Sequence, residues 1–144
     1  HAGATEGPDL ENQLAGFQIM GIKYTEIHTA PRPRSELRPP LTEESVKRTA
    51  EQNNKQAEIS KRFGMKILIH NHANDFAPLQ GSNLRPYDIL LRETDPALVA
   101  LQLDIGWASV AGQNGLRMFW KMPGRYQLWP VEEATGIKNM DPSR

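Results

Sequence analysis

Three of the chain's four histidines, His28, His70 and His72, stand at or just past the ends of short apolar runs, in the company of Glu26, Asp75 and Asp104. Imidazole nitrogen and carboxylate oxygen are the donors that divalent cations take. The same groups accept and return protons near neutral pH. His70 and His72 are two positions apart, so on an extended chain both side chains face one way and Asn71 faces the other. Asp104 closes an apolar stretch, where a carboxylate needs a partner or a helix start to cap. Two imidazoles and at least two carboxylates on one rim would suit a divalent metal. Plainer readings stand beside these. His28 is open to an ordinary strand-end hydrogen bond, Glu26 to either role, and Trp107 to a place in the core rather than a sugar-stacking platform. Arg32, Arg34 and Arg38 suit a solvated loop better than a phosphate clamp.

Such side chains converge only if the backbone brings them to one edge. Leu10, Leu14, Phe17 and Met20 recur at three and four, predicting a helix that Gly21 ends. Residues 22–28 alternate and are rich in strand formers, predicting a strand. Pro31, Pro33, Pro39 and Pro40 make residues 30–40 an irregular loop. Thr42 caps the clearest helix, with Glu43 and Glu44 at its positive end. That helix runs through Val46, Thr49, Ala50, Ala57 and Ile59 to Phe63, with Gly64 as its stop. Residues 65–70 and 98–104 read as buried strands, 86–93 and 114–121 as short helices. Residues 125–131 read as a last strand weakened by Pro130, and residues 135–144 as a polar tail. Helix and strand alternate throughout, which predicts an α/β fold with a parallel sheet in one domain spanning residues 1–144. In such folds ligands bind at the carboxyl ends of strands, where Glu26, His28, His70, His72 and Asp104 fall.

Composition narrows the classes. The 144 residues carry 17 basic and 17 acidic side chains and no cysteine. Zero net charge argues against nucleic acid as a partner. Without cysteine there is no disulfide scaffold, thiolate metal site or cysteine nucleophile. The longest apolar run, Ile67-Leu68-Ile69, is far short of the roughly 20 residues that cross a bilayer. Residues 1–10 show neither the basic start nor the apolar stretch of a signal peptide. The expectation is a cytoplasmic protein that binds neither membrane nor nucleic acid.

Several motifs then fall in order. Residues 67–83, opening Ile67-Leu68-Ile69-His70-Asn71-His72, resemble the "HNHxFEF" strand end of the sugar phosphate isomerase/epimerase family, the xylose-isomerase-like TIM barrels. Tyr87-Asp88-Ile89-Leu90-Leu91-Arg92-Glu93-Thr94-Asp95-Pro96 is similar to that family's "YDxLLxETDP". Leu101-Gln102-Leu103-Asp104-Ile105-Gly106-Trp107 is similar to its "xELDxxW". Ala111-Gly112-Gln113 and Pro123-Gly124-Arg125-Tyr126 follow as they do there. The resemblance spans residues 10–138.

The resemblance implies an eight-stranded (β/α) barrel with outer helices and proton transfer next to a carbonyl of a sugar or sugar derivative. It implies a divalent metal, manganese or zinc, that stabilises the enediolate. By position, Asp104 matches the family's metal-binding aspartate, and His70 stands where related barrels place a ligand. Asp75 matches the glutamate of "HNHxFEF" and is one methylene shorter. With Glu26 it forms the expected catalytic set, while His28, His72 and Trp107 are expected at the sugar. Two departures are visible. The family's next strand ends "HVKD" with a ligand histidine, and Pro130 stands there, leaving Glu132 or Glu133 to compensate. A full barrel needs about 250 residues, so an incomplete barrel is expected here. Its first strand would lie before His1 and its last beyond Glu133, with further chain segments or a second copy closing it. These departures keep open a second class, a non-catalytic barrel remnant that binds a sugar-like ligand or a partner chain.

Overall fold

The computed structural model describes residues 1–28 and 40–130. The proline-rich loop with Arg32, Arg34 and Arg38, the acidic pair Glu132 and Glu133, and the polar tail lie outside the described residues.

Among the described residues, five strands and five α-helices follow one another as β1 (Ala2–Thr5), α1 (Leu10–Ile19), β2 (Tyr24–His28), α2 (Glu43–Arg62), β3 (Lys66–His70), α3 (Pro86–Glu93), β4 (Val99–Gln102), α4 (Ile105–Val110), α5 (Gly115–Lys121) and β5 (Tyr126–Leu128). A short 3-10 helix, Ala73–Phe76, follows β3. The strands form one sheet in the order β1-β2-β3-β4-β5, and every neighbouring pair is parallel. The expected α/β architecture with a parallel sheet is therefore present. Among the described residues, no helix is long and apolar enough to cross a membrane.

The strand β1 was not expected from the sequence. Its Ala-Gly-Ala-Thr composition carries no branched or aromatic signal, and only Ala4 enters the core. It pairs with β2 from Ala2 opposite Thr25 to Thr5 opposite His28. The helix α4 was also unannounced, being too short for a period to show. In α1, Leu10 and Leu14 are buried as expected, whereas Met20, the residue after the helix, is exposed.

Local chemistry accounts for α2 in detail. The Thr42 hydroxyl accepts from the Ser45 N–H and the Ser45 hydroxyl accepts from the Thr42 N–H, so two otherwise orphaned donors are satisfied. Its outer face is laced by Glu43–Lys47, Glu44–Arg48 and Glu51–Lys55 pairs one turn apart. Val46, Ala50, Ala57 and Ser60 make the inner stripe, while Thr49 faces solvent. The chain then turns back through Gly64, at a φ of +74° that side-chain-bearing residues rarely adopt.

Packing fixes which sheet face is which. Ile67 and Val99 lie with Ala57 of α2 in one cluster, and Leu101 and Tyr126 pack with Phe76 and Tyr87 in another. Alternation then puts Lys66, Leu68 and His70 of β3 on the opposite face. The pairings Tyr24 opposite Lys66, Leu68 opposite Ala100 and His70 opposite Gln102 carry that face across the sheet. Between β4 and β5 the register slips, with Leu101 opposite Tyr126 but Gln102 opposite Leu128, so Gln127 is the extra residue of a bulge. From there Gln127 Oε1 accepts a 3.1 Å hydrogen bond from the Tyr24 hydroxyl. The bond spans three strand spacings, about 14 Å along a flat sheet. The sheet must curl toward this face for the two side chains to meet. Leu68 and Ala100, on the strands between them, are buried.

Candidate functional site

The carboxyl ends of β3 and β4 carry the densest chemistry. β3 stops at His70, but the backbone stays extended through His72, so the two imidazoles remain on one side as their spacing predicts. Their rings meet edge to face with centroids 4.8 Å apart, and the Trp107 ring stands 5.8 Å from that of His72. Trp107 is half-buried rather than a full core residue, and His72 is exposed.

Asp104 is 1% exposed. Its Oδ1 accepts a 2.8 Å hydrogen bond from the Trp107 N–H and so caps α4. A carboxylate suits the positive end of a helix. Its Oδ2 faces His70, 3.9 Å from Nε2. Asp104 thus caps the helix with one oxygen and turns the other toward His70. Bonds from a cation to such donors run about 2.0–2.2 Å, so two of them reach across a gap of this size. His70 and Asp104 are thus two donors within reach of one small cation.

Asp75 sits in the last turn of the rim. Its Oδ2 accepts a 2.6 Å hydrogen bond from the His72 N–H, which ties it to the start of the 3-10 helix. Burial pushes its carboxyl above the ordinary carboxylate value, while that hydrogen bond and the nearby His72 and His70 imidazoles pull the other way.

Glu26 and His28 form a second group on β2. Glu26 Oε2 lies 3.5 Å from His28 Nε2, and Oε1 lies 3.6 Å from Nε2 of His1. His1 was not singled out by the sequence. Gly3, opposite Glu26 in the ladder, leaves room for the His28 ring, since a Cβ there would stand 3.2 Å from Nε2. Among the described residues no three His, Asp or Glu side chains gather closely enough to hold a metal ion. Glu26 with His28 and His70 with Asp104 stand as two pairs on the sheet. Pro130, in the place of the family's ligand histidine, accepts a long 3.4 Å hydrogen bond from the Ile105 N–H through its carbonyl.

Asn71 is the site residue that the chemistry-first reading passed over. It is fully buried, and its amide makes both backbone bonds to Asp104: Oδ1 accepts from the Asp104 N–H at 2.9 Å and Nδ2 donates to the Asp104 carbonyl at 3.3 Å. The signal was available. Ile67, Ile69 and Asn71 share one parity, and an amide continuing an apolar stripe must find partners. A cavity of about 310 Å³ between α4 and α5, lined by Ile105, Ser109, Gln113, Leu116 and Phe119, contains none of these groups.

Comparison with known proteins follows the same line as the fold. The chain is 32% identical over 84 residues to an inosose dehydratase of Bacillus licheniformis, a match that covers 58% of this chain and 27% of that protein. Two solved structures of sugar phosphate isomerase/epimerases from Parabacteroides distasonis share its architecture. One has a TM-score of 0.66 at 21% identity over 89% of this chain, the other 0.69 at 19% identity over 93%. This chain spans 50% of each of those structures. No family model matches.

Proposed function

We propose that the chain belongs to a sugar phosphate isomerase/epimerase-like enzyme that moves a proton next to a carbonyl of a sugar or sugar derivative, with a divalent metal, manganese or zinc, at His70 and Asp104. The observation that carries this reading is the half-buried imidazole of His70 facing the buried Asp104 carboxylate at the carboxyl rim of a parallel sheet. The architecture shared with solved isomerase/epimerases and the partial likeness to an inosose dehydratase support it.

When bound, the metal would supply positive charge beside the oxygen on which negative charge develops. The protein's own groups do the rest. Asp75 takes the proton from the carbon next to the carbonyl, and its raised affinity for protons suits it to hold and return one. Return to the same carbon from the other face epimerises; return to the neighbouring carbon isomerises. Glu26, paired with His28, serves as the second proton carrier. His72 and Trp107 form an edge on which the sugar rests, and His28 reaches its hydroxyls.

The test is deuterium wash-in. Ketose and inosose candidates are incubated with the protein and manganese in D₂O and followed by proton NMR. Loss of the signal at the carbon next to the carbonyl is expected for the parent. Asp104→Ala is expected to abolish it, and Asp75→Asn to slow it by about 10²–10⁴-fold, the range of one acid–base group. Sugar binding without exchange in the parent would overturn the catalytic reading and leave a non-catalytic sugar-binding protein.

A further inference from the structure

At the point where β3 ends, the backbone ladder to β4 has no successor: His70 opposite Gln102 is the last pairing. One residue later the Asn71 side chain takes over. Its amide presents an acceptor and a donor to the N–H and carbonyl of one residue, Asp104, as a strand residue would. Among side chains of similar size, only this amide carries the donor and the acceptor on separate atoms, so that each meets one backbone group. Aspartate offers only acceptors, and leucine offers the volume with neither. The clamp is wholly buried, so water does not replace it.

What the clamp fixes is the carboxylate. Asp104 follows β4 and precedes α4, and its two oxygens serve two masters: the Trp107 N–H at 2.8 Å and the space before His70. A carboxylate is held in direction only as well as the backbone that carries it. We infer that Asn71 is a positioning residue, holding the Asp104 backbone so that one carboxylate oxygen stays turned to His70. The inference rests on the reading of His70 and Asp104 as the pair that works together at this rim.

Two readouts separate the inference from that reading. The first is amide exchange at Trp107, which touches the Asp104 carboxylate and not Asn71. The second is calorimetric titration with manganese or zinc alone. Asn71→Asp and Asn71→Leu are compared with Val99→Ala, a core variant beside α2 that controls for mere loss of stability. In both Asn71 variants, Trp107 exchange at matched folded fraction is expected to quicken at least tenfold and metal affinity to fall at least tenfold. Val99→Ala is expected to move neither. Trp107 exchange that stays at the parent rate in a folded Asn71 variant would overturn the positioning role, whether or not metal binds. Absence of metal binding in the parent, with Trp107 exchange still responding to Asn71, would overturn the metal reading and leave the positioning of Asp104 standing. Where Asn71→Leu does not fold, Asn71→Asp, which retains the acceptor for the Asp104 N–H, decides.

Discussion

At the scale of single residues, Asp75 is where burial and hydrogen bonding pull against each other. Burial is the larger effect, and it raises the carboxyl above its ordinary value of 3.8. A group that binds its proton more tightly when folded stabilises the fold at low pH and loses that contribution as pH rises through the raised value. Stability should therefore fall between the ordinary carboxylate range and the raised value in the parent. Asp75→Asn keeps an oxygen for the His72 N–H and removes this titration, so its urea midpoint should lack the part of the fall that Asp75 contributes. Parallel pH profiles for the two proteins would show that Asp75 is not the group responsible. How far these residues were legible follows from geometry. His70 and His72 were readable because a period of two is a local rule. For Asn71 the parity marks a buried amide, but its partner was not readable, because it lies 33 positions away and only tertiary pairing reveals it. The separation of Glu26 and His28 from His70 likewise depends on how far the sheet curls, which no spacing encodes.

At the scale of elements, the "PGR" motif has a structural meaning. Gly124 takes a φ of +82°, and Arg125 then reaches back to the end of α3. Its guanidinium donates to the Leu91 carbonyl at 3.2 Å and to the Thr94 hydroxyl at 2.9 Å, where the helix presents unpaired carbonyls and negative partial charge. Thr94 in turn donates to the Leu90 carbonyl at 2.6 Å. The motif thus latches β5 to α3. Arg125→Ala should destabilise the fold by about 1–2 kcal/mol, the scale of hydrogen bonds from a charged donor that is not fully buried. Urea unfolding measures this, and an unchanged midpoint would mean the latch contributes nothing. The helices and central strands were legible because caps, glycine stops and apolar stripes are strong local signals. The strand β1 and the helix α4 were not. β1 is held by its neighbour's ladder rather than by its own side chains, and α4 begins because Asp104 is already in place to cap it.

At the scale of the whole molecule, the Tyr24–Gln127 bond ties β2 to β5 across the face that carries Leu68 and Ala100. Removing the hydroxyl in Tyr24→Phe should lower stability by about 0.5–1.5 kcal/mol. It should also speed amide exchange in β5 more than in β3, since among the described strands β5 pairs with β4 alone. Equal changes in the two strands would show that the bond stabilises without fastening the edge.

The order of the strands in space is their order along the chain. Synthesis proceeds in the same direction. Each strand leaving the ribosome meets an edge formed by its immediate predecessor, and no strand has to be threaded between two already paired. Each docking closes only the crossover back to the preceding strand, and the entropy of closure grows slowly with its length. Among the described strands, each is added at the edge that its predecessor leaves open. Among the described side-chain hydrogen bonds, that of Tyr24 waits longest. Its partner lies 103 positions downstream, so the arrival of Gln127 marks the moment when a row of docked strands becomes a curved and fastened sheet.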